Sequence, residues 1–435
     1  MKRASDTAAE VIVIGGGIVG VSTAYYLAKR GVRVILLDKG RLGWEQSSRN
    51  WGFIRQQGRD PAELPMAALS NRIWCGIEQE LDADIEWCQG GNLAVAQNED
   101  ELDRYAEGAK AAQATGIDTR VLTPDQVSAL FPQLRGSFAG GLYTPSDGHA
   151  DPLKATLAFA RGARQAGADL REHCAVNAIY TARGRVSGVA TEAGDLRADA
   201  IVCAAGSHSS FLGRMVGLRL PQRSMRATVA VTNPLPRLTE LAVWASGLGI
   251  RQARDGSVIL GRASAGTGEH DVTLESLRHI NLFLPIFLRN RALFRLRIGM
   301  PLVRDLLRHL PGTAAARRPF AHLVDEEPPV NLKTVRSSLG LFNHYFPQLG
   351  QVSIARTWAG VIDVTPDLVP VLGEVQVLPG FFFATGFSGH GFGLGPGAGY
   401  ALADLIARGS TEIDIHPLRY ERFAQGDMSK ARKIL

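Results

Sequence analysis

Residues 10–38 read EVIVIGGGIVGVSTAYYLAKRGVRVILLD, and this stretch decides the fold. The apolar run at 10–14 predicts a buried strand, and the glycines after it open a helix that continues to Arg30. Residues 32–38 predict a second strand. Because only a short helix connects the two strands, they are expected to be parallel neighbours. The chain therefore begins with a predicted βαβ unit.

The glycines of this unit have the G-x-G-x-x-G spacing of a dinucleotide site. Gly15 permits a tight turn, Gly17 lets a phosphate approach the backbone, and Gly20 allows close packing of helix on strand. The helix N-terminus offers N–H groups and a partial positive charge to a diphosphate. Asp38 ends the second strand, where its carboxylate can bind ribose hydroxyls and repel the extra phosphate of NADP. These residues alone do not separate FAD from NAD.

The composition limits the remaining possibilities. A chain of 435 residues exceeds what one core usually serves, so two domains are expected. The net charge of +6 is modest and no basic patch is interleaved with aromatic residues, so nucleic acid is not an expected partner. The four cysteines form no C-x-x-C pair, which predicts neither a disulfide framework nor a metal site. No apolar run is long enough for a membrane span, and no secretory signal is recognisable, so a cytoplasmic location is expected.

Two later stretches carry further information. Residues 47–61 are polar and predict a loop near a ligand. Towards the C-terminus, residues 380–385 predict a strand, 386–399 a glycine-rich loop, and 397–407 a helix. Backbone N–H groups clustered before a helix are suited to binding an electron-rich group.

These stretches resemble a known family. SSRNWGFIR at 47–55 and GFSGHGF at 386–392, together with the first glycine motif, are similar to the D-amino-acid oxidase superfamily. The sarcosine oxidase and D-amino-acid dehydrogenase branch resembles the chain most. Further matching segments follow in the family's usual order, at 148–152, 204–206, 358–360, 365–367 and 370–373.

The resemblance implies an α/β fold with a glutathione-reductase-like, Rossmann-type FAD domain and an inserted, mostly β substrate domain. The FAD domain is expected from residues 1–90, 151–220 and 346–435, and the substrate or cap domain from 91–150 and 221–345. It also implies the cofactor-binding residues, which are Gly15, Gly17, Ile18, Val19, Gly20, Asp38, Lys39, Ser47, Ser48, Arg49, Val176, Ala205, Gly206, Gly360, Gly386, Ser388, Gly389, His390 and Gly391.

Family members that bind FAD covalently use a cysteine just before the Thr-Pro-Asp motif at 365–367. This chain has no cysteine after Cys203. Non-covalent FAD is therefore expected.

The resemblance further implies oxidation of a carbon–nitrogen bond. A hydride passes from the carbon to the flavin, and the resulting imine hydrolyses. Arg55 holds the position expected for binding the substrate carboxylate, with Arg49 as its competitor. His390 is expected to contact the substrate or the flavin. Gly393 stands where related sarcosine oxidases have a lysine, which favours a substrate other than sarcosine itself.

The candidate substrates are secondary amines, N-substituted amino acids, opines and D-amino acids, with oxygen or a quinone as electron acceptor. Three other functions stay open from sequence. They are an FAD-dependent alcohol dehydrogenase of the glycerol-3-phosphate dehydrogenase type, an NAD-linked dehydrogenase, and a non-catalytic FAD-binding subunit.

Residues 276–322 form a basic stretch with nine arginines, no lysine and one acidic residue, Asp305. Apolar residues four apart, from Phe294 through Ile298 to Leu310, predict two short amphipathic helices broken near 299–301. One interpretation is a cap packed on the substrate domain, with arginines facing solvent or an acidic partner subunit. The other is a helix pair lying on an anionic membrane, which would place the protein at the inner face of that membrane.

Overall fold

The computed structural model describes residues 7–263, 267–292, 294–310, 312–321, 323–324 and 326–429. A six-stranded sheet has the spatial order Val371–Glu374, Phe381–Thr385, Ala200–Cys203, Val11–Ile14, Val34–Leu37 and Asp169–Arg171. All its pairs are parallel except that of its antiparallel edge strand, Val371–Glu374. The predicted βαβ unit is confirmed, because Val11 pairs in parallel with Val34.

The strand Val11–Ile14 is buried on both faces, as a continuous apolar run requires. Val11 and Val13 belong to an apolar cluster formed with helices, including Ile18–Lys29 and Gly391–Arg408. Ile12 and Ile14 belong to a second cluster on the opposite face. That cluster includes side chains of a small antiparallel sheet with the strands Val176–Ala182, Arg185–Thr191 and Gly194–Arg197. The six-stranded sheet is therefore the middle layer of three.

A ten-stranded sheet forms the second large unit. Its order is Phe294–Arg297, Gly268–Asp271, Arg223–Thr232, Val258–Arg262, Leu248–Gln252, Ala242–Ala245, Asn92–Ala96, Gly140–Thr144 and Arg120–Leu122, and Ile354–Val364 also pairs with Arg223–Thr232. Most neighbours are antiparallel. The predicted mixed α/β architecture is confirmed. Residues 346–435 were assigned to the FAD domain, yet Ile354–Val364 lies in this second sheet, so we propose that this strand belongs with the substrate domain.

The remaining elements connect or cover these sheets. A two-stranded pair joins Phe53–Ile54 to Gly148–His149. The helices are Ile18–Lys29, Gln46–Arg49, Leu64–Leu81, Glu99–Ala114, Pro124–Leu130, Pro152–Gln165, Ser209–Met215, Leu274–Arg278, Ile280–Asn290, Met300–His309, Ala314–Arg317, Leu332–Tyr345, Gly391–Arg408 and Arg422–Gln425.

The last long helix begins six residues earlier than the sequence predicts, at Gly391 instead of Gly397. Its glycines allow close packing instead of forming a loop. A Cβ at Gly395 would lie 2.9 Å from the Ile18 side chain, and one at Gly397 would lie 2.8 Å from the Met66 carbonyl oxygen. The favourable packing outweighs the low helix propensity of glycine. The predicted loop therefore shrinks to residues 386–390.

The prediction for the basic stretch is wrong in part. Met300–His309 is a helix, as expected after Gly299, but residues 294–297 form a strand. That strand pairs in parallel with Gly268–Asp271, an interaction between distant segments that helical spacing cannot indicate. Phe294 and Ile298 therefore do not share a helix with Leu310.

A buried ion pair fixes the C-terminal segment to the turn that follows Ile354–Val364. Arg422 and Asp367 are both 1% exposed. The Arg422 Nε donates to Asp367 Oδ2 at 2.8 Å, and its Nη2 donates to Asp367 Oδ1 at 3.1 Å and to the Val369 carbonyl oxygen at 2.7 Å. Such a bidentate pair combines charge with a fixed geometry.

We expect Arg422→Ala to lower the free energy of unfolding by about 3–5 kcal/mol, because it leaves the Asp367 charge buried and unpaired. Asp367→Ala should cost a similar amount. The double variant should cost clearly less than the two single costs combined, since it leaves no unpaired charge. Urea unfolding of the three variants measures this, and additive losses would contradict the coupling.

Candidate active site

A cleft lies between the six-stranded and ten-stranded sheets, and it brings the two glycine-rich stretches together. Arg55 lines it, as do most of the predicted cofactor-binding residues, which are Gly15, Gly17, Ile18, Val19, Asp38, Lys39, Ser47, Arg49, Val176, Ala205, Gly206, Gly360, Ser388, Gly389, His390 and Gly391. One end of the cleft is built by the βαβ unit and the other by residues near His390.

At the first end the backbone is held in a narrow turn. Gly15 has a φ of +110°, and a Cβ there would lie 2.4 Å from the Ala204 carbonyl oxygen, so only glycine fits. Asp38 accepts hydrogen bonds from the N–H groups of Gly16, at 2.6 Å, and Gly40, at 2.8 Å. Burial raises the pKa of Asp38, while these two bonds oppose the rise. The carboxylate is thereby fixed at the end of its strand, and each oxygen keeps a lone pair for a ribose hydroxyl.

Three predicted cofactor-binding residues, Gly20, Ser48 and Gly386, do not line the cleft themselves. A Cβ at Gly20 would lie 1.9 Å from the Gly15 carbonyl oxygen. Ser48 Oγ donates to the Trp44 carbonyl oxygen at 3.0 Å, and the Gly386 N–H donates to Asp363 Oδ2 at 2.6 Å. These residues shape the turns that carry the cleft-lining residues, and their direct contact with a cofactor stays a prediction.

The Asp363 carboxylate connects both sheets at the cleft. It is 3% exposed at the end of Ile354–Val364. Besides the Gly386 N–H, its Oδ2 accepts from Thr385 Oγ1 at 3.2 Å and from Gln222 Nε2 at 3.1 Å. Burial raises the pKa of Asp363, and these donors oppose the rise. The second glycine loop is thus fixed to the ten-stranded sheet.

Residues 318–326, which overlap the end of the basic stretch, cover the end of the cleft near Asp38 as far as the structure describes them, and we call this segment the strap. Lys39 Nζ donates to the Leu323 carbonyl oxygen at 3.1 Å, and Arg49 Nη2 donates to that of Glu326 at 3.3 Å. Phe320 is 3% exposed and lines the cleft, with its ring centroid 5.6 Å from that of His208. Lys39 and Arg49, both predicted to bind the cofactor, also hold the strap.

At the other end of the cleft the His390 ring is hydrogen-bonded to the Glu63 carboxylate. The Nδ1 to Oε1 distance is 2.9 Å, and Glu63 is 1% exposed. Burial raises the pKa of Glu63, but His390 and Arg59 outweigh it and hold that pKa below its ordinary value. Burial and Arg59 lower the pKa of His390, against the effect of Glu63. His390 is therefore neutral near pH 7, its Nδ1–H donates to the ionised Glu63, and its Nε2 keeps a free lone pair.

Arg55 lies beside this pair, near a buried carboxylate. Burial lowers the pKa of Arg55, and Asp147 is the strongest opposing influence. Asp147 accepts from the N–H groups of Gln56, at 2.7 Å, and Gln57, at 3.3 Å, and burial raises its pKa to about 6. Arg55, partly buried in the cleft, forms no ion pair within 4.0 Å among the described residues. Its guanidinium can accept an anionic ligand.

Sequence reasoning missed Glu63, Arg59, Asp147 and Phe320. The polar stretch 47–61, predicted to lie near a ligand, contributes several residues to the lining of the cleft, and Arg59 is one of them. Glu63 lies two positions after the end of this stretch and belongs to no recognised motif. Nothing local marked Asp147 or Phe320.

The cleft fits FAD. A helix begins at each end, Ile18–Lys29 after the first glycine motif and Gly391–Arg408 after the second loop. First-turn N–H groups of a helix have no acceptor within the helix, so both ends can bind electron-rich groups of a ligand. At the first end the Ile18 N–H donates to Ser47 Oγ at 2.8 Å. A Cβ at Gly17 would lie 2.9 Å from the same oxygen, so a side chain at position 17 would displace the Ser47 hydroxyl from the helix N-terminus.

Comparisons with known proteins agree with this geometry. The FAD dependent oxidoreductase (DAO) family model matches residues 10–405. Human mitochondrial sarcosine dehydrogenase is 29% identical over 434 residues, which cover 97% of this chain but only 42% of that protein. Sarcosine oxidase subunit beta of Rhodobacter capsulatus is 26% identical over 427 residues, covering 95% of this chain and 89% of the subunit. L-Amino acid deaminase from Proteus myxofaciens superposes with a TM-score of 0.89 at 26% identity, covering 96% and 94% of the two chains.

The strap yields a prediction about cofactor affinity. Phe320→Ala should raise the dissociation constant of FAD about tenfold, because losing the contact of one aromatic ring costs roughly 1.4 kcal/mol. Titrating FAD into apoprotein and following flavin fluorescence measures this. Phe138→Ala, which removes a ring packed in the core of the ten-stranded sheet, is the matched control and should leave FAD affinity unchanged. Equal affinities for both variants would contradict a role of the strap in holding FAD.

Proposed function

The chain belongs to the family of FAD-dependent oxidoreductases, and from that membership we propose that it oxidises a carboxylate-bearing amine at its carbon–nitrogen bond. The observation that carries the proposal is the placement of Arg55 and of the His390–Glu63 pair at the same end of the cleft, beside the second glycine loop. The relatives named for sarcosine and for amino acids support the same reaction class.

Bound FAD would supply the acceptor for the hydride that leaves the substrate carbon. The chain's own residues would place that carbon. Asp38, Gly15 and Gly17 would hold the adenosine diphosphate half of the cofactor, and residues 386–391 would frame the reactive half. The reactive half would then lie at the end of the cleft that contains Arg55 and His390.

Arg55 would orient the substrate. A guanidinium offers a planar pair of N–H donors that matches both oxygens of a carboxylate. With the carboxylate fixed there, the adjoining amine carbon has one position in the cleft, and fixing a reacting carbon in this way supplies much of the rate enhancement.

His390 would take the proton that a bound ammonium group must lose. An amine releases a hydride from its carbon only when its nitrogen has a lone pair to form the imine. Because Nδ1 donates to Glu63, the free Nε2 of neutral His390 is the available base. Glu63 would orient the ring and stabilise the imidazolium that forms.

The proposed chemistry limits the substrate to a class of compounds and does not select one compound. We propose N-substituted amino acids first, ahead of opines, other secondary amines and D-amino acids, because the names of the matched relatives include N-methyl amino acids. FAD is proposed to be bound without a covalent link. Oxygen and a quinone are both proposed as acceptors.

Anaerobic mixing of the flavin-loaded protein with a substrate panel tests the reaction class. An N-methyl amino acid, opine or D-amino acid should bleach the flavin absorbance and yield a carbonyl product. Bleaching by glycerol 3-phosphate alone, with every amine inert, would contradict the proposal.

The pH dependence tests His390. As pH falls through the lowered pKa of His390, its Nε2 becomes protonated, so kcat/KM should fall on the acid side. Glu63→Gln removes a charge that raises this pKa, and should therefore move the acid limb to lower pH. His390→Asn should lower kcat/KM by about 100-fold and abolish the limb. An unchanged limb in His390→Asn would assign it to another group.

The basic stretch supports a further part of the proposal, a membrane contact. Of the 18 exposed large apolar side chains among the described residues, 11 lie within residues 277–310, and we call these the apolar surface. Ile280, Leu284 and Leu288 form one exposed stripe on the helix Ile280–Asn290, while Met300, Val303 and Leu307 form another on the helix Met300–His309. Leu277 and Leu310 flank these helices and are also exposed.

The chemistry of this surface favours an anionic bilayer over a protein partner. The exposed large side chains are aliphatic, whereas the centres of protein interfaces are enriched in aromatic residues. Arg291 and Arg295 border Leu288 and Leu296, and neither forms an ion pair with any described residue. No helix within the described residues is long and apolar enough to cross a membrane.

Vesicle co-sedimentation tests this contact. We expect binding to vesicles with phosphatidylserine and not to neutral vesicles. Replacing Arg291 and Arg295 by Gln should weaken binding about thirtyfold, since each basic residue near an anionic surface contributes about 1 kcal/mol. Arg183→Gln with Leu157→Ser, which alters exposed positions elsewhere, is the control. Failure to bind any vesicle, or equal binding of both variants, would contradict the membrane contact.

A further inference from the structure

Arg59 presents an unsatisfied donor at the substrate end of the cleft. It lies four positions after Arg55, is 7% exposed, and lines the cleft together with Arg55 and His390. Its Nε donates to the Arg55 carbonyl oxygen at 3.2 Å, which fixes the side chain against the preceding turn. Its Nη1 is buried and has no hydrogen-bond partner.

The charged groups around Arg59 leave it without a close counter-ion. Glu63 is engaged by His390 and by the Asp60 N–H, at 3.1 Å, and Asp147 is engaged by the backbone of Gln56 and Gln57. Among the described residues no carboxylate lies within 4.0 Å of the Arg59 guanidinium. Burial and the neighbouring Arg55 lower the pKa of Arg59 to about 9.

A buried cation without a counter-ion or a full set of hydrogen bonds lowers the stability of the folded chain. Buried charges in proteins are almost always paired or bound to a ligand, and buried donors are almost always hydrogen-bonded. Arg59 meets neither condition within the described chain, and its side chain borders the cleft. An anionic group entering the cleft would satisfy both.

We propose that Arg59 is the second arm of a two-arginine clamp that binds the carboxylate of the substrate, with Arg55 as the first arm. The proposal rests on the proposed function and deepens it. Two guanidiniums that line the same cleft would fix both the position and the plane of one carboxylate, and so select amines that carry this group over amines that lack it.

The clamp would also place the amine nitrogen of the substrate near His390. Arg59 and His390 line the same cleft and the Arg59 charge lowers the pKa of His390, so the proposed carboxylate site and proton acceptor are neighbours. A small substrate that reaches both must carry its carboxylate and its nitrogen close together. The clamp therefore indicates α-amino acids and their N-substituted forms.

Binding of benzoate and of its neutral isostere benzamide to the flavin-loaded protein tests the clamp, with the shift of the flavin spectrum as the readout. We expect benzoate to bind and Arg59→Gln to weaken it at least tenfold, while benzamide binding stays the same. Arg254→Gln is the control, because Arg254 does not line the cleft and is ion-paired with Asp84 at 2.8 Å. This control substitution should leave the affinity for benzoate unchanged. No benzoate binding by the unmodified protein, or a change under twofold in Arg59→Gln, would overturn the proposal.

Thermal unfolding separates the clamp from a structural role of Arg59. If Arg59 serves the ligand, Arg59→Gln and the apolar Arg59→Met should have a Tm equal to or above that of the unmodified protein, and benzoate should no longer raise it. A lower Tm with intact benzoate binding would identify a structural residue and overturn the clamp. The proposed function fails separately, if no amine bleaches the flavin while benzoate binding still depends on Arg59.

Discussion

The carboxylate of Asp363 is the interaction on which the geometry of the cleft depends. It stands at the end of a long strand of the ten-stranded sheet and accepts hydrogen bonds from Thr385 and Gly386, which end the last strand of the six-stranded sheet. Gln222, at the start of another strand of the ten-stranded sheet, donates to the same oxygen. Because Thr385 and Gly386 adjoin the six-stranded sheet while Asp363 belongs to the ten-stranded one, a shift between the sheets would remove both of these donors from the buried carboxylate. This junction therefore restrains the separation of the two halves of the cleft.

On either side of this junction, the two sheets contribute different groups to the cleft. The six-stranded sheet ends in turns that only glycine can form, and it presents backbone N–H groups and the Asp38 carboxylate to the cleft. The stretch between Arg55 and Glu63 connects the two sheets and contributes the charged side chains at the substrate end. In the proposed function, binding of the cofactor thus depends mainly on the backbone, whereas selection of the substrate depends on a few side chains.

The sequence predicted what depends on local spacing. The βαβ unit and its parallel strands follow from the glycine motif and a short connection, and the cleft-lining positions from Gly15 to Asp38 follow from the same motif. The early start of the last helix could not be predicted, because its glycines are helical only while Ile18 and Met66 pack against them. The strand at 294–297 depends in the same way on residues 268–271. Phe320 reaches the cleft from the basic stretch, and its neighbour His208 is far away in sequence.

The strap also has a consequence for the order of assembly. Its described attachments are hydrogen bonds from Lys39 and Arg49, ion pairs of Arg318 with Glu192 and of Glu326 with Arg304, and the packing of Phe320 in the apolar cluster beside the six-stranded sheet. Opening the segment would break these few contacts and expose one buried ring while both sheets stay folded, so the adenosine half of FAD would have an entrance that requires no global unfolding. Because the strap and the apolar surface are parts of one continuous stretch, whatever holds that surface also changes how readily this entrance opens.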